Sequence, residues 1–148
     1  MTKSSAIRRF VIPAAPQPKQ RPRLGKGRVR TPAKTRRFEA LVASVATGEP
    51  IDGQVYVRIT AVFPRPKSRP RGVAKETWNT GWRLLHTGRS DIDNLAKSVL
   101  DGMKRIITDD RRVVALEAVK VCAAIGEDAC VEVEVGPATS WGRSEWYL

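Results

Sequence analysis

The stretch Ser90–Ala123, SDIDNLAKSVLDGMKRIITDDRRVVALEAVKVCA, changes its hydrophobic period part-way along. Ile92, Leu95, Val99, Met103 and Ile106 recur at intervals of three and four, the apolar stripe of a helix. Val113–Ala123 is an apolar run rich in β-branched residues and reads as a strand. Upstream, Val55, Val57, Ile59, Ala61 and Phe63 alternate with Tyr56, Arg58 and Thr60, a half-buried strand. Downstream, the turn Ile125–Asp128 leads into a strand over Cys130–Val135. There Val131, Val133 and Val135 alternate with Glu132 and Glu134, whose carboxylates are expected to face water. Nearer the N-terminus, Phe10–Ile12 is a short strand ended by Pro13. Thr31 as N-cap and Pro32 at the first helical position open a helix carrying Phe38, Leu41, Val42 and Val45. Gly48 and Pro50 close it. The order strand, helix, strand, helix, strand, strand predicts an α/β (α+β) fold, a small mixed sheet with two main helices packed on it. One domain is expected over 1–148, with 1–8 and 136–148 as flexible or docking tails, the latter through Trp141, Trp146 and Tyr147.

The charge is lopsided. Lys and Arg number 27 against 15 Asp and Glu, a net charge of +12, and the pI is about 10.5. An excess of that size points to a nucleic-acid partner. A membrane surface would instead want a basic helix with a broad apolar face and aromatic anchors, and no such helix is legible. No apolar run reaches the ~18–20 residues of a membrane span. MTKSSAIRRF lacks the apolar core of a signal peptide, so a cytoplasmic location, in a bacterial or phage-infected host cell, is expected. Cys122 and Cys130 sit in strand-like segments without zinc-ligand spacing and read as free thiols.

The positive charge is also clustered. Every charged residue from Lys19 to Arg37 is basic, and Arg65, Lys67, Arg69, Arg71 and Lys75 sit among prolines. Proline and glycine make both clusters read as extended loops. The expected DNA contacts are Lys19, Arg21, Arg23, Lys26, Arg28 and Arg30 from the first cluster, and Arg65, Lys67, Arg69 and Arg71 from the second. Pro64–Arg89 is one long unpatterned connection containing Trp78 and Trp82. Their indoles either pack over the loop or stack on unpaired bases.

Against this background the acids at Asp91, Asp93, Asp101, Asp109 and Asp110 need a reason. A divalent cation supplies one, because it lets carboxylates face a phosphate. Magnesium takes one or two protein carboxylates plus waters and substrate phosphate. It lowers the pKa of bound water and neutralises charge in an in-line displacement. Asp91 and Asp93 converge only if Asp91 lies before the first helical turn, since helix residues two apart do not face each other. Lys97 follows Asp93 by four on the same face. The competing explanation is structural. The acids then cap a helix start, with Ser90 as N-cap, and Asp93–Lys97 and Lys97–Asp101 are plain ion pairs. A helix of this length also sets Asp110 far from Asp91 unless the following loop folds back. His86, the one histidine, is a bystander or a DNA contact, and Asn94 either anchors the helix start or orients an aspartate.

The run Asp91-Ile92-Asp93-Asn94-Leu95-Ala96-Lys97, then Asp101, Asp109-Asp110 and Val113-Val114, resembles the D-x-D-N-L-x-K…D…D-D-x-x-V pattern of RusA-like Holliday junction resolvases. Pro18–Arg23 and Arg30-Thr31-Pro32 are similar to members from phages and prophages. The likeness covers about Phe10 to Val135. It implies a RusA-like homodimer that depends on magnesium, with manganese as substitute. It also implies cleavage of four-way junctions by paired symmetric nicks, in recombination, repair or phage DNA processing. By the same resemblance Asp91, Asp93 and Asp110 are the catalytic and metal-holding aspartates, and Lys97 is the functional lysine. The connection over Pro64–Arg89 is longer and more basic than in the founding pattern, which brings other branched or single-stranded DNA into view as substrate. The alternative is a non-catalytic protein that binds branched DNA or RNA.

Overall fold

In the computed structural model, residues 6–142 are described. Five strands form a mixed sheet in the order β1 (Arg8–Ile12), β7 (Cys130–Pro137), β4 (Val55–Phe63), β6 (Val113–Cys122), β5 (Leu84–Leu85). β4 and β6 are parallel neighbours, and the other pairs are antiparallel. Parallel neighbours need a crossover. Helix α3 (Ile92–Gly102) supplies it, preceded by the long connection over 64–91. Two further elements lie outside the sheet: the hairpin β2 (Arg23–Gly25) and β3 (Arg28–Arg30), and the five-residue helix α2 (Lys75–Asn79).

The alternation in β4 and β7 sends Val57, Ile59, Val131, Val133 and Val135 to one face. Helix α1 (Ala33–Val45) covers that face with Phe38 and Val42, and α3 with Ala96 and Val99. The expected fold class therefore stands, with both main helices packed into a single core. They approach closely at Gly102. A Cβ there would lie 2.5 Å from the Val42 side chain, so only glycine fits. Met103 and Ile106 are fully buried although α3 ends before them, because the chain continues over the core in tight turns.

Three local expectations are corrected. The first helix starts one residue late, with Pro32 as its N-cap and no side-chain capping bond. The basic clusters are less irregular than composition suggests: the first forms the β2–β3 hairpin and the start of α1, and the second runs into α2. Strand pairing continues past Val135 to Pro137 and begins at Arg8, so both expected tails are shorter. Trp141 packs through its carbonyl, which accepts from Arg58 at 2.9 Å. Trp146 and Tyr147 lie outside the described residues.

The face away from the helices carries charge, but not as solvated acids. Glu134 accepts from the Tyr56 hydroxyl at 3.0 Å and pairs with Arg9 and Arg58, each at 3.5 Å. Glu132 and Glu127 share Arg83. The guanidinium of Arg83, then the Ala124 N–H, hold the Glu127 carboxyl at about 2. The two strand glutamates are ion-paired because long Arg side chains from β1, β4 and the edge reach across their register.

Candidate active site

The start of α3 is fixed from two sides. Lys120 on β6 donates to the carbonyls of Ser90 at 2.7 Å and Gly88 at 3.3 Å. The His86 N–H bonds to the Lys120 carbonyl at 3.0 Å, and its ring stacks on Phe63 with centroids 4.5 Å apart. Burial, then the Lys120 charge, push the His86 imidazole below its usual range, which keeps the ring neutral at pH 7. On the other side, segment 17–20 lies along the helix. The Lys19 N–H donates to the Asn94 carbonyl at 2.9 Å, and the Ser98 hydroxyl donates to the Gln17 carbonyl at 2.7 Å.

On this platform Asp91 is the residue before the helix, with extended backbone at φ −70 and ψ 134. Asp93 lies in the first turn. The condition for the two to share a side is therefore met. Neither side chain caps the helix: Asp91, rather than Ser90, is the N-cap residue, but its carboxylate makes no capping bond. Asp93 and Lys97 are exposed and do not pair with each other. Asp101, the other expected partner of Lys97, is bound by Lys19 at 2.8 Å. The structural explanation for the acidic run thus loses its main contacts. Two exposed carboxylates, without hydrogen bonds among the described residues, stand at a helix N-terminus, where the positive end of the dipole favours negative charge.

Asp110 is at the far end. It begins a single 3-10 turn just before β6, while Ser90 lies against Lys120 near the end of that strand. Val113 to Lys120 spans roughly 23 Å of strand, and the eleven residues of α3 run about 16 Å. Among the described residues no three acidic, His or Cys side chains gather as a metal site. Within one chain, then, Asp91 and Asp93 both stand at the start of α3, and Asp110 does not join them. Its neighbour Asp109 is engaged: Arg111 clamps it at 2.9 Å and holds its carboxyl below the usual range, and its side chain caps the 3-10 turn. Asp110 is exposed and makes no such bond.

The basic candidates also divide. Arg21, Arg23, Lys26, Arg28 and Arg30 are exposed around the β2–β3 hairpin, and Lys67 and Arg71 are exposed in the second cluster. Arg69 is exposed as well and donates to the Val73 carbonyl at 2.7 Å. Lys19 is not a surface cation. Its ammonium, one-fifth exposed, bridges Glu39 of α1 at 2.5 Å and Asp101 of α3. Burial works against that charge, but the two carboxylates outweigh it and raise its pKa. Lys19→Met is expected to lower the unfolding free energy by roughly 1–3 kcal/mol, because two half-buried carboxylates lose their counter-ion. Junction affinity should stay within about twofold, since phosphate attraction is spread over many other cations. Urea unfolding beside a binding titration checks this. Lost affinity at unchanged stability would return Lys19 to the DNA surface. Arg65 is likewise internal, bonded to the carbonyls of Trp78, Trp82 and Ala123.

Sequence inspection missed Lys120 as the support of the α3 start. The available signal was a lysine at a helix-facing register, opposite Ala61, in a largely apolar strand.

Residues 13–136 match the family described as Endodeoxyribonuclease RusA. The chain belongs to the RusA endodeoxyribonuclease family. It is also 32% identical over 136 residues to the uncharacterized protein YqaN of Bacillus subtilis (strain 168), which covers 86% of this chain and 94% of that relative. RusA membership makes the chain an endodeoxyribonuclease, a hydrolase of DNA, and the mixed sheet with its helices is consistent with the RusA fold. No helix among the described residues is long and apolar enough to cross a membrane.

Proposed function

We propose that this RusA-family protein is a magnesium-dependent homodimeric endonuclease that resolves four-way DNA junctions by paired symmetric nicks. The observation that carries this reading is the pair of exposed carboxylates, Asp91 and Asp93, with Lys97 one turn on, all three without an ion pair among the described residues. Two exposed oxygen donors suit magnesium, which asks few protein ligands and leaves room for water and phosphate. Bound there, the ion would supply charge neutralisation and activation of water. Asp91 and Asp93 would hold it. Lys97 would sit against the scissile phosphate and offset charge as the attacking oxygen arrives. Lys120 and His86 keep the carboxylate-bearing turn in place.

The separation of Asp110 is the reason for two copies. An isologous two-fold interface places each patch of one copy against its counterpart on the other. Asp110 of one protomer would then complete the Asp91–Asp93 pair of its partner. A four-way junction shares that two-fold symmetry, so two such sites would address opposed strands. The exposed arginines of the hairpin and of the second cluster would hold the arms, with affinity falling steeply as salt rises.

The test is cleavage of a labelled four-way junction in magnesium, beside a linear duplex and the Asp93→Asn variant. Paired nicks in the junction, absent from the duplex and lost in the variant, are expected. Tight junction binding without cleavage in magnesium or manganese would leave a binding protein whose aspartates have no catalytic part.

A further inference from the structure

Trp78 and Trp82 share one loop but have opposite fates. Trp78 is half-buried beneath the Arg65 guanidinium, 4.1 Å from its ring centroid. Trp82 is 75% exposed. An indole left in water is a cost that a free loop would relieve by folding it inward, and here the backbone that carries it is tied down. The Arg65 guanidinium donates to the carbonyls of Trp78, Trp82 and Ala123 at 2.9–3.0 Å. Hydrogen bonds from a charged donor are stronger than neutral ones, so this clamp closes the base of the loop. Next to Trp82, Gly81 sits at φ +72, and the Ile125 N–H bonds to its carbonyl at 3.0 Å. Ile125 is itself 73% exposed and lies over Gly81, the residue before Trp82, so the indole stands as an apolar knob beside a braced turn.

The surroundings say what meets the knob. Every charged residue from Arg65 to Lys75 is basic, and the clamp brings Arg65, the first of them, to the foot of Trp82. A positive loop repels a basic partner and attracts a polyanion. The knob also shares an end of the sheet with the candidate active site. Ala123 anchors the clamp and Lys120 anchors the α3 start, three residues and roughly 10 Å apart along the chain. An aromatic face among cations is the arrangement that receives single-stranded bases.

We propose that Trp82 is a base-stacking platform that receives an unpaired base of the DNA substrate at its branch or gap. This rests on the reading of the chain as a branched-DNA nuclease, and assigns the long connection a role in choosing DNA with exposed bases over intact duplex. Trp82 acts in recognition and not in the chemical step.

The test uses 2-aminopurine, bright when unstacked and quenched against an indole, placed in the gap of a gapped duplex. A fully paired duplex with the same base is the control. Titrations are run in EDTA, where no cleavage is needed, so the outcome is independent of the nuclease assay. The wild-type protein is expected to quench the gap signal, Trp82→Ala to leave it bright, and Trp82→Phe to retain part of the affinity. Trp82→Ala should weaken binding to the gapped DNA by roughly tenfold and to the paired duplex by no more than about twofold. Equal quenching by wild type and Trp82→Ala would overturn the proposal. So would Trp82 emission that responds to protein dilution and not to DNA, since a second copy would then cover the indole. Failure of junction cleavage in the wild-type protein, with gap quenching intact, would instead remove the nuclease reading alone.

Discussion

Mixing Asp93→Asn protein with Asp110→Asn protein restores junction nicking that neither variant has alone. The expectation follows from the distance between the two acidic ends. Each pure variant carries two damaged sites per dimer. In a mixed dimer, the Asp110→Asn protomer has an intact Asp91–Asp93 pair, and its partner has an intact Asp110. If sites are built across the interface, one is whole and the other doubly damaged. Random exchange of subunits makes half the dimers mixed, so roughly a quarter of wild-type sites return. The products identify them: single nicks in one strand of a junction, without the paired cuts of the wild type. If each chain completed its own site, both sites in the mixed dimer would be broken and no activity would return. A strand-specific nicking assay after subunit exchange decides between the two. Absence of rescue, with mixed dimers demonstrated by tagged copies, would sink the composite site.

Replacing Lys97 with Met is the second large effect. Turnover should fall by about a hundredfold or more, the scale on which mutagenesis removes a single stabilising group from a reacting centre. The unfolding midpoint should move little. Lys97 is exposed and bound neither to Asp93 nor to Asp101, so no ion pair among the described residues leaves with it. Junction affinity should also hold, since one cation among many contributes a small part of the phosphate attraction. Lys97→Arg keeps the charge but spreads it over a planar fork, and should recover only part of the rate. Single-turnover cleavage, a binding titration and a denaturant curve separate the three quantities. A variant equally active, or one that loses stability in place of rate, would assign Lys97 to the fold.

Some of this was legible residue by residue. The three-and-four spacing from Ile92 onward, the alternation from Val55 to Phe63 and the DIDN run are local patterns, and local patterns survive into the fold because they depend only on backbone period. The break at Gly102 was less legible. The apolar stripe continues to Ile106, yet the helix stops while Met103 and Ile106 stay buried in turns. Burial needs an apolar side chain at the right place in space, and a turn over the core satisfies it as well as a helix does.

The basic residues mark the limit of reading by type. Lys19 and Arg21 are two apart in one cluster, and nothing in their chemistry separates them. Packing does: segment 17–20 lies between α1 and α3, which bring Glu39 and Asp101 to Lys19 and leave Arg21 exposed. Arg65 and Lys67 divide in the same way, one gathering three carbonyls and the other facing solvent.

By itself, then, the sequence determined the four main strands and two main helices, though not the β2–β3 hairpin, α2 or β5, together with the cationic character of the surface and the carboxylate pair at the start of α3. These follow from side-chain period and from charge. Tertiary structure alone decided which charges are neutralised inside the fold, that Trp82 stands in solvent while Trp78 is covered, and that Asp110 lies a strand's length from Asp91. The physical reason is that ion pairing, exposure and distance are relations between segments far apart in the chain. They are set when β6 pairs beside β4 and α3 crosses between them.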